Sequence, residues 1–137
     1  MIQPMQDPSS PMTESPLETY RRHLRAGELA YQYSEDAGRA VFFPRLACPY
    51  GGRAPLGWRI SQGRGVVHAT TVVFPREGAP YNVAIVELDE GFRMMSRVEG
   101  MKADQVAIGL RVRVGFVQDE KQPAPLPVFH PIEETTA

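Results

Sequence analysis

Hydrophobic and polar positions change period along the chain. Leu17, Tyr20 and Leu24 recur at helical spacing, with Arg21, Arg22 and Arg25 beside them. Ser15 is placed to cap that helix, Pro16 fits its first position, Glu18 completes a capping box and Gly27 is a natural stop. The pattern predicts a helix over 16–28. It is short and marginal alone, so it must dock on something. From Trp58 onward the period is that of strands. Segments 58–61, 66–74, 81–88, 92–98 and 110–117 are apolar or alternating, and 125–130 is a Pro-bounded edge segment. Gly63-Arg64-Gly65, Arg76–Pro80 and Asp89-Glu90-Gly91 are the bends and turns between them. A helical turn over 102–108, stopped by Gly109, precedes the strand at 110–117.

The fold expected is therefore mainly β. An N-terminal helix (16–28) leads into a ribbon-like segment (29–56), followed by a small five-stranded Greek-key barrel of the OB type (57–132). An SH3-like barrel is the structural alternative. Residues 1–15, rich in Pro, Ser, Met and Gln, and residues 133–137 are expected to be tails. Met94 and Met95 fall on opposite faces of one strand, one for the barrel interior and one for a loop or partner.

The segment Tyr31–Gly52 reads YQYSEDAGRAVFFPRLACPYGG. Two tight knuckles, SEDAGR and CPYGG, flank the apolar run Val41-Phe42-Phe43-Pro44. That is the layout of a zinc ribbon, in which each knuckle carries C-x-x-C and four thiolates hold one zinc. Here the four ligand positions fall on Ser34, Ala37, Cys48 and Gly51. One thiolate cannot make that site, so no metal is expected. Tyr31, Tyr33, Phe42, Phe43 and Tyr50 are then expected to form a small apolar core in its place. Cys48 reads as a small buried hydrophobe, a reactive thiol being the alternative.

Composition narrows the function. Hydrophobic residues make up 42% of the 137, and the net charge of −1 argues against a general nucleic-acid binder. No run of about 18 apolar residues suggests a membrane span. The single cysteine excludes an intrachain disulfide and fits a cytoplasmic location. The charge is uneven. Residues 20–64 carry eight arginines (Arg21, Arg22, Arg25, Arg39, Arg45, Arg53, Arg59 and Arg64) against Glu28, Glu35 and Asp36. Arginine suits bidentate contacts to phosphate and carboxylate. A solvated mixed surface explains the clustering equally well. His23, His68 and His130 share no ligand spacing, and His68 is expected to be a structural histidine. No G-x-S-x-G, P-loop or H-E-x-x-H motif occurs, so the chain by itself is not expected to be an enzyme.

Six segments, in order, carry a resemblance: LRAGEL (24–29), FFPRLACP (42–49), GRGVVHATTVV (63–73), YNVAIVELDEG (81–91), IGLRVRV (108–114) and LPVFHP (126–131). Together they resemble the thiolase-associated family with an N-terminal helix, a rubredoxin-like zinc ribbon and an OB-fold (domain-of-unknown-function family 35). The resemblance implies a non-catalytic accessory subunit. It would dock on a thiolase-like acyl-CoA enzyme, stabilise it and help wall its CoA entrance. The partner would make or break a carbon–carbon bond, and acyl-CoA would be the substrate of the complex. Arg45, Arg59 and Arg64 are the CoA-facing candidates. Tyr20, Arg21, Arg22 and Arg25 are the partner-interface candidates. The alternative is a stand-alone OB-fold module that binds acyl-CoA or single-stranded nucleic acid.

Overall fold

The computed structural model describes residues 14–132; the remaining parts of the expected tails lie outside the described residues. Helix α1 spans Pro16–Arg25. Ser15 caps it, its Oγ accepting the Glu18 N–H at 3.1 Å. The capping box is only half made, because the Glu18 carboxylate turns to Arg25 at 3.0 Å. The helix stops where Gly27, at φ 76°, donates back to the Leu24 carbonyl at 2.9 Å. Thr19, Tyr20 and Leu24 are its buried face.

The ribbon is a three-stranded antiparallel sheet. Its strands are β1 (Ala30–Ser34), β2 (Arg39–Val41) and β3 (Gly57–Ile60), in the order β2-β1-β3. Strand β3, grouped with the barrel segment on sequence, pairs instead with β1, Ala30 opposite Ile60 and Tyr33 opposite Gly57. Gln32 is buried in the middle of β1. Its carboxamide accepts the Arg45 N–H at 2.6 Å and donates to the Arg45 carbonyl at 2.8 Å. A buried amide is thereby satisfied, and the loop after β2 is pinned to the sheet.

The barrel strands are β4 (Arg64–Val73), β5 (Tyr81–Leu88), β6 (Arg93–Ser96), β7 (Arg111–Val117) and β8 (Leu126–Pro131). Their order is β6-β5-β4-β7-β8. The two ends meet through a parallel bridge between Val98 and Phe129. Phe129 donates to the Arg97 carbonyl at 3.0 Å and accepts from Glu99 at 2.7 Å. A single 3-10 turn, Ala103–Gln105, lies between β6 and β7. This order, with its closure and its turn before the fourth barrel strand, is that of an OB-fold. Gly65 is required where β4 meets β5, because a Cβ there would run into the Glu87 carbonyl. Inside the barrel, Val67, Val86, Leu88, Val112 and Phe129 are almost wholly buried. Met94 fills the interior and Met95 stands 72% exposed, the division that alternation predicts.

Two sequence expectations change. His68 is exposed, not a core histidine; it sits at the register shift between Val67 and Ala69, where a bulge turns it outward. The aromatic set is also not a private core of the ribbon. Phe43 and Tyr50 are 60% and 46% exposed. A three-stranded ribbon has too little interior to cover five rings, so the inner ones reach the barrel. Phe92, just before β6, stacks on Tyr31 at 4.8 Å and on Phe42 at 5.0 Å. Tyr20 of α1 meets Phe42 edge-on at 5.6 Å. Glu90 adds a polar stitch, accepting from Ser61 Oγ at 2.7 Å and the Gln62 N–H at 2.8 Å.

Phe92→Ala is expected to cost about 3–5 kcal/mol, the range for a buried large aromatic. Urea denaturation followed separately through a ribbon probe and a barrel probe checks this. A loss confined to one sheet would mean the two fold independently.

Candidate functional site: a metal-free ribbon, its arginines and a cleft

Of the four expected ligand positions, Ser34, Ala37 and Cys48 take part in hydrogen bonds of the knuckles. Ser34 is 1% exposed. Its Oγ accepts the Ala37 N–H at 3.1 Å, and its hydroxyl is directed to the Cys48 sulfur. Cys48 Sγ in turn accepts the Tyr50 N–H at 3.3 Å. Asp36 closes the second knuckle, one carboxylate oxygen accepting from Arg53 and Ala54, both at 2.7 Å. The backbone passes so close that a Cβ on Gly52 would lie 2.7 Å from Ser34 Oγ and 3.1 Å from Cys48 Sγ. This donor set does not fit zinc. It offers one thiol and one hydroxyl, while Ala37 and Gly51 offer no side-chain ligand. Among the described residues no group of three or more His, Cys, Asp or Glu side chains could hold a metal ion.

These bonds set the local acidities. The Ala54 and Arg53 N–H groups hold the Asp36 carboxyl below its ordinary range. Cys48 is half-buried rather than buried. The Ser34 hydrogen bond holds its thiol below the usual range, helped by the Tyr50 and Gly52 amides and opposed by partial desolvation and the Asp36 charge.

The three CoA-facing candidates lie on three elements. Arg45 follows β2, its backbone clamped by Gln32 and its side chain exposed. Arg59 is in β3, its guanidinium 3.5 Å above the Tyr33 ring and 3.5 Å from Glu35. Arg64 opens β4, exposed and directly opposite Arg113 of β7. Of the partner-interface candidates, Tyr20 belongs to the core. It is 7% exposed, and burial pushes its hydroxyl up to about 12. Arg22 pairs with Glu14 at 3.0 Å, Arg25 with Glu18 at 3.0 Å and with the Pro123 carbonyl at 3.1 Å, and Arg21 approaches Glu18 at 3.9 Å.

Sequence reasoning missed a cleft. It opens between α1, the Phe42-Phe43 pair, β6 and the segment 122–128, with a volume of about 670 Å³. Its walls come from four distant stretches of chain, and no local motif signals that.

Two measurements test the ribbon. Purified protein is expected to carry well under one zinc per chain; stoichiometric zinc on Cys48 would overturn the metal-free ribbon. Asp36 is depressed in the folded state, so its contribution is present above the ordinary carboxylate range and is lost as pH falls through the folded value. Solvent protection of the Arg53 and Ala54 amides should persist through the ordinary carboxylate range and be lost only below it, whereas Asp36→Ala removes it at every pH.

Comparison with known proteins agrees with this geometry. The family pattern described as "ChsH2, C-terminal OB-fold domain" matches residues 58–117. A 3-oxo-4,17-pregnadiene-20-carboxyl-CoA hydratase alpha subunit from Mycobacterium tuberculosis is 38% identical over 69 residues, which is 46% of this chain and 22% of that protein. A DUF35 domain-containing scaffold protein from Methanothermobacter thermautotrophicus is 37% identical over 83 residues, which is 56% of this chain and 62% of that one. The chain therefore spans less than two thirds of either relative's length. A solved chain titled Ltp2-ChsH2(DUF35) aldolase superposes with a TM-score of 0.73 at 26% identity, covering 88% of this chain and 98% of that one. Residues 58–117 match the ChsH2 C-terminal OB-fold pattern, and the chain as a whole shares the fold of the solved DUF35 chain.

Proposed function

We propose that the chain is a non-catalytic accessory subunit that docks on a thiolase-like acyl-CoA enzyme, stabilises it and helps form its CoA entrance. The observation that carries this reading is the near full-length likeness to the solved chain titled Ltp2-ChsH2(DUF35) aldolase. The scaffold-protein name of the archaeal relative points the same way. The chemistry of carbon–carbon bond formation or cleavage lies in the partner.

The chain's own residues supply a charged, prepositioned surface. The Arg45 side chain is exposed while its backbone is fixed by Gln32 at both the N–H and the carbonyl. Arg59 is held flat on Tyr33, which orients the guanidinium and lowers the entropy lost on binding. Both sit on the ribbon, and both suit the phosphates of CoA. Arg64 stands at the ribbon–barrel junction behind them. On α1, Arg21, Arg22 and Arg25 form an ordered basic face, braced by Glu14 and Glu18, that fits acidic residues on a partner.

The test is co-expression with a thiolase-like enzyme from the same cell, followed by gel filtration and assay of the complex. The chain should co-elute with the enzyme. In the complex, Arg45→Ala with Arg59→Ala should raise the apparent KM for acyl-CoA roughly tenfold with little change in kcat, as expected for losing charge-assisted contacts to a non-reacting part of the substrate. An unchanged KM would remove the CoA role and leave the docking role to stand or fall on co-elution. Arg22→Glu with Arg25→Glu should weaken the complex and make its stability less sensitive to salt.

A further inference from the structure

Apart from Arg21, the cleft beside α1 is not used by this reading. Its floor is apolar, built from Leu24, Phe42, Met94 and Val128. Phe43 and Met95 stand at its mouth, 60% and 72% exposed. Single exposed hydrophobics need no explanation, but two large ones over an apolar floor do. Two polar side chains in the wall, Asn82 and Ser96, already have protein partners. Asn82 is buried, its carboxamide donating to Thr70 Oγ1 at 2.6 Å and accepting the Val98 N–H at 3.0 Å. Ser96 Oγ donates to the Pro127 carbonyl at 2.9 Å.

The charge in the cleft has one sign. Arg21, Arg93 and Arg97 line it, and among the described residues no Asp or Glu does. Arg93, Met95 and Arg97 alternate along one run of chain and so project to the same side. Glu87 holds Arg93 through Nε at 2.8 Å, and Glu99 holds Arg97 through Nε at 2.6 Å. Each guanidinium is thus oriented by its Nε. Among the described residues, its two Nη groups have no hydrogen-bond partner. The pair of Nη groups is a fork that matches the two oxygens of a carboxylate.

We propose that this cleft binds an amphipathic carboxylate, its apolar body against Phe42, Phe43 and Met95 and its head on the Nη groups of Arg93 or Arg97. The volume lies within the range of small-ligand pockets, and the position, between a helix-plus-ribbon unit and a barrel wall, is where such pockets form. The two arginines are four residues apart, about 13 Å along an extended chain, so single variants reveal which one takes the head. The proposal is independent of the accessory-subunit reading, because it is measured on the chain alone.

The probes are decanoate and its uncharged counterpart 1-decanol, titrated into the full chain and followed by NMR. Decanoate is expected to bind saturably, one per chain, shifting Phe43 and Met95 signals. Arg93→Gln with Arg97→Gln should weaken decanoate about tenfold and leave 1-decanol within about twofold, since only the charged head loses its partners. Met95→Glu, at an exposed position that tolerates the change, should weaken both. Three results would overturn the proposal. One is no saturable shift with decanoate. Another is equal loss of both probes in the double-Gln variant, which would reduce the arginines to a structural role. The last is wild-type self-association, seen by sedimentation, that Met95→Glu abolishes and decanoate does not displace; that would assign the face to a second copy of the chain.

Discussion

Phe92 lies between two rings of the ribbon, 4.8 Å from Tyr31 and 5.0 Å from Phe42, and both stacks are near-parallel. On the far side of Phe42, Tyr20 of α1 closes the row edge-on. Three parts of the chain share this one aromatic column. The helix is a ten-residue segment that would be marginal in water. The ribbon has three short strands and a donor set that does not fit zinc. The barrel closes between β6 and β8 through the bridge at Val98 and Phe129 and the Ser96–Pro127 bond. Burying the column commits all three to one arrangement, and that arrangement fixes every surface discussed above. The cleft exists because α1 is held off the β6 wall by Phe42. Arg59 and Arg45 keep their positions because the sheet beneath them is anchored to the barrel.

The ribbon illustrates how a metal's structural role can be divided. A zinc ion in such a module supplies roughly 10 kcal/mol or more of folding free energy at one point. Here the work is distributed. Ser34 Oγ and Cys48 Sγ each accept a knuckle N–H, Asp36 accepts two more, and Gln32 clamps the loop between the knuckles. None of these bonds is individually large, since a net hydrogen bond contributes about 1 kcal/mol. The remainder must come from apolar burial, and Phe92 delivers that from outside the ribbon. The ribbon is consequently less autonomous than a metal-bound one. Its shape depends on the barrel, and changes at Phe92 propagate to the arginine-bearing surface.

Much of the architecture was legible in the sequence because it rests on local rules. Ser15, Pro16 and Gly27 marked the helix, alternation marked the barrel strands, and the split of Met94 from Met95 followed from period two. The spacing of the two knuckles marked the ribbon despite its missing cysteines. What was not legible is long-range. Nothing in Gly57–Ile60 says that it pairs with β1 across the loop instead of joining the barrel. Helical spacing put Tyr20 on the same face as Leu24 without saying that the face is buried, so its candidacy as a contact residue came from proximity to arginines alone. His68 carried β-propensity neighbours, but the bulge that exposes it is set by the pairing of β4 with β5. The cleft is the extreme case, with walls from α1, the ribbon, β6 and residues 122–128.

The arginines make the same point about function. Composition placed eight in one third of the chain and invited reading them as one basic patch. The fold sorts them. Arg22 and Arg25 are tied to Glu14 and Glu18 and brace α1. Arg39 lies over Tyr50 at 3.7 Å and Arg59 over Tyr33, where aromatic faces take the charge. Arg64 faces Arg113 across two strands, a like-charge pair that only an anion or solvent can relieve. Arg93 and Arg97, outside that third, each keep a pair of Nη groups with no hydrogen-bond partner among the described residues. A guanidinium held by Nε alone is oriented and still open to a ligand.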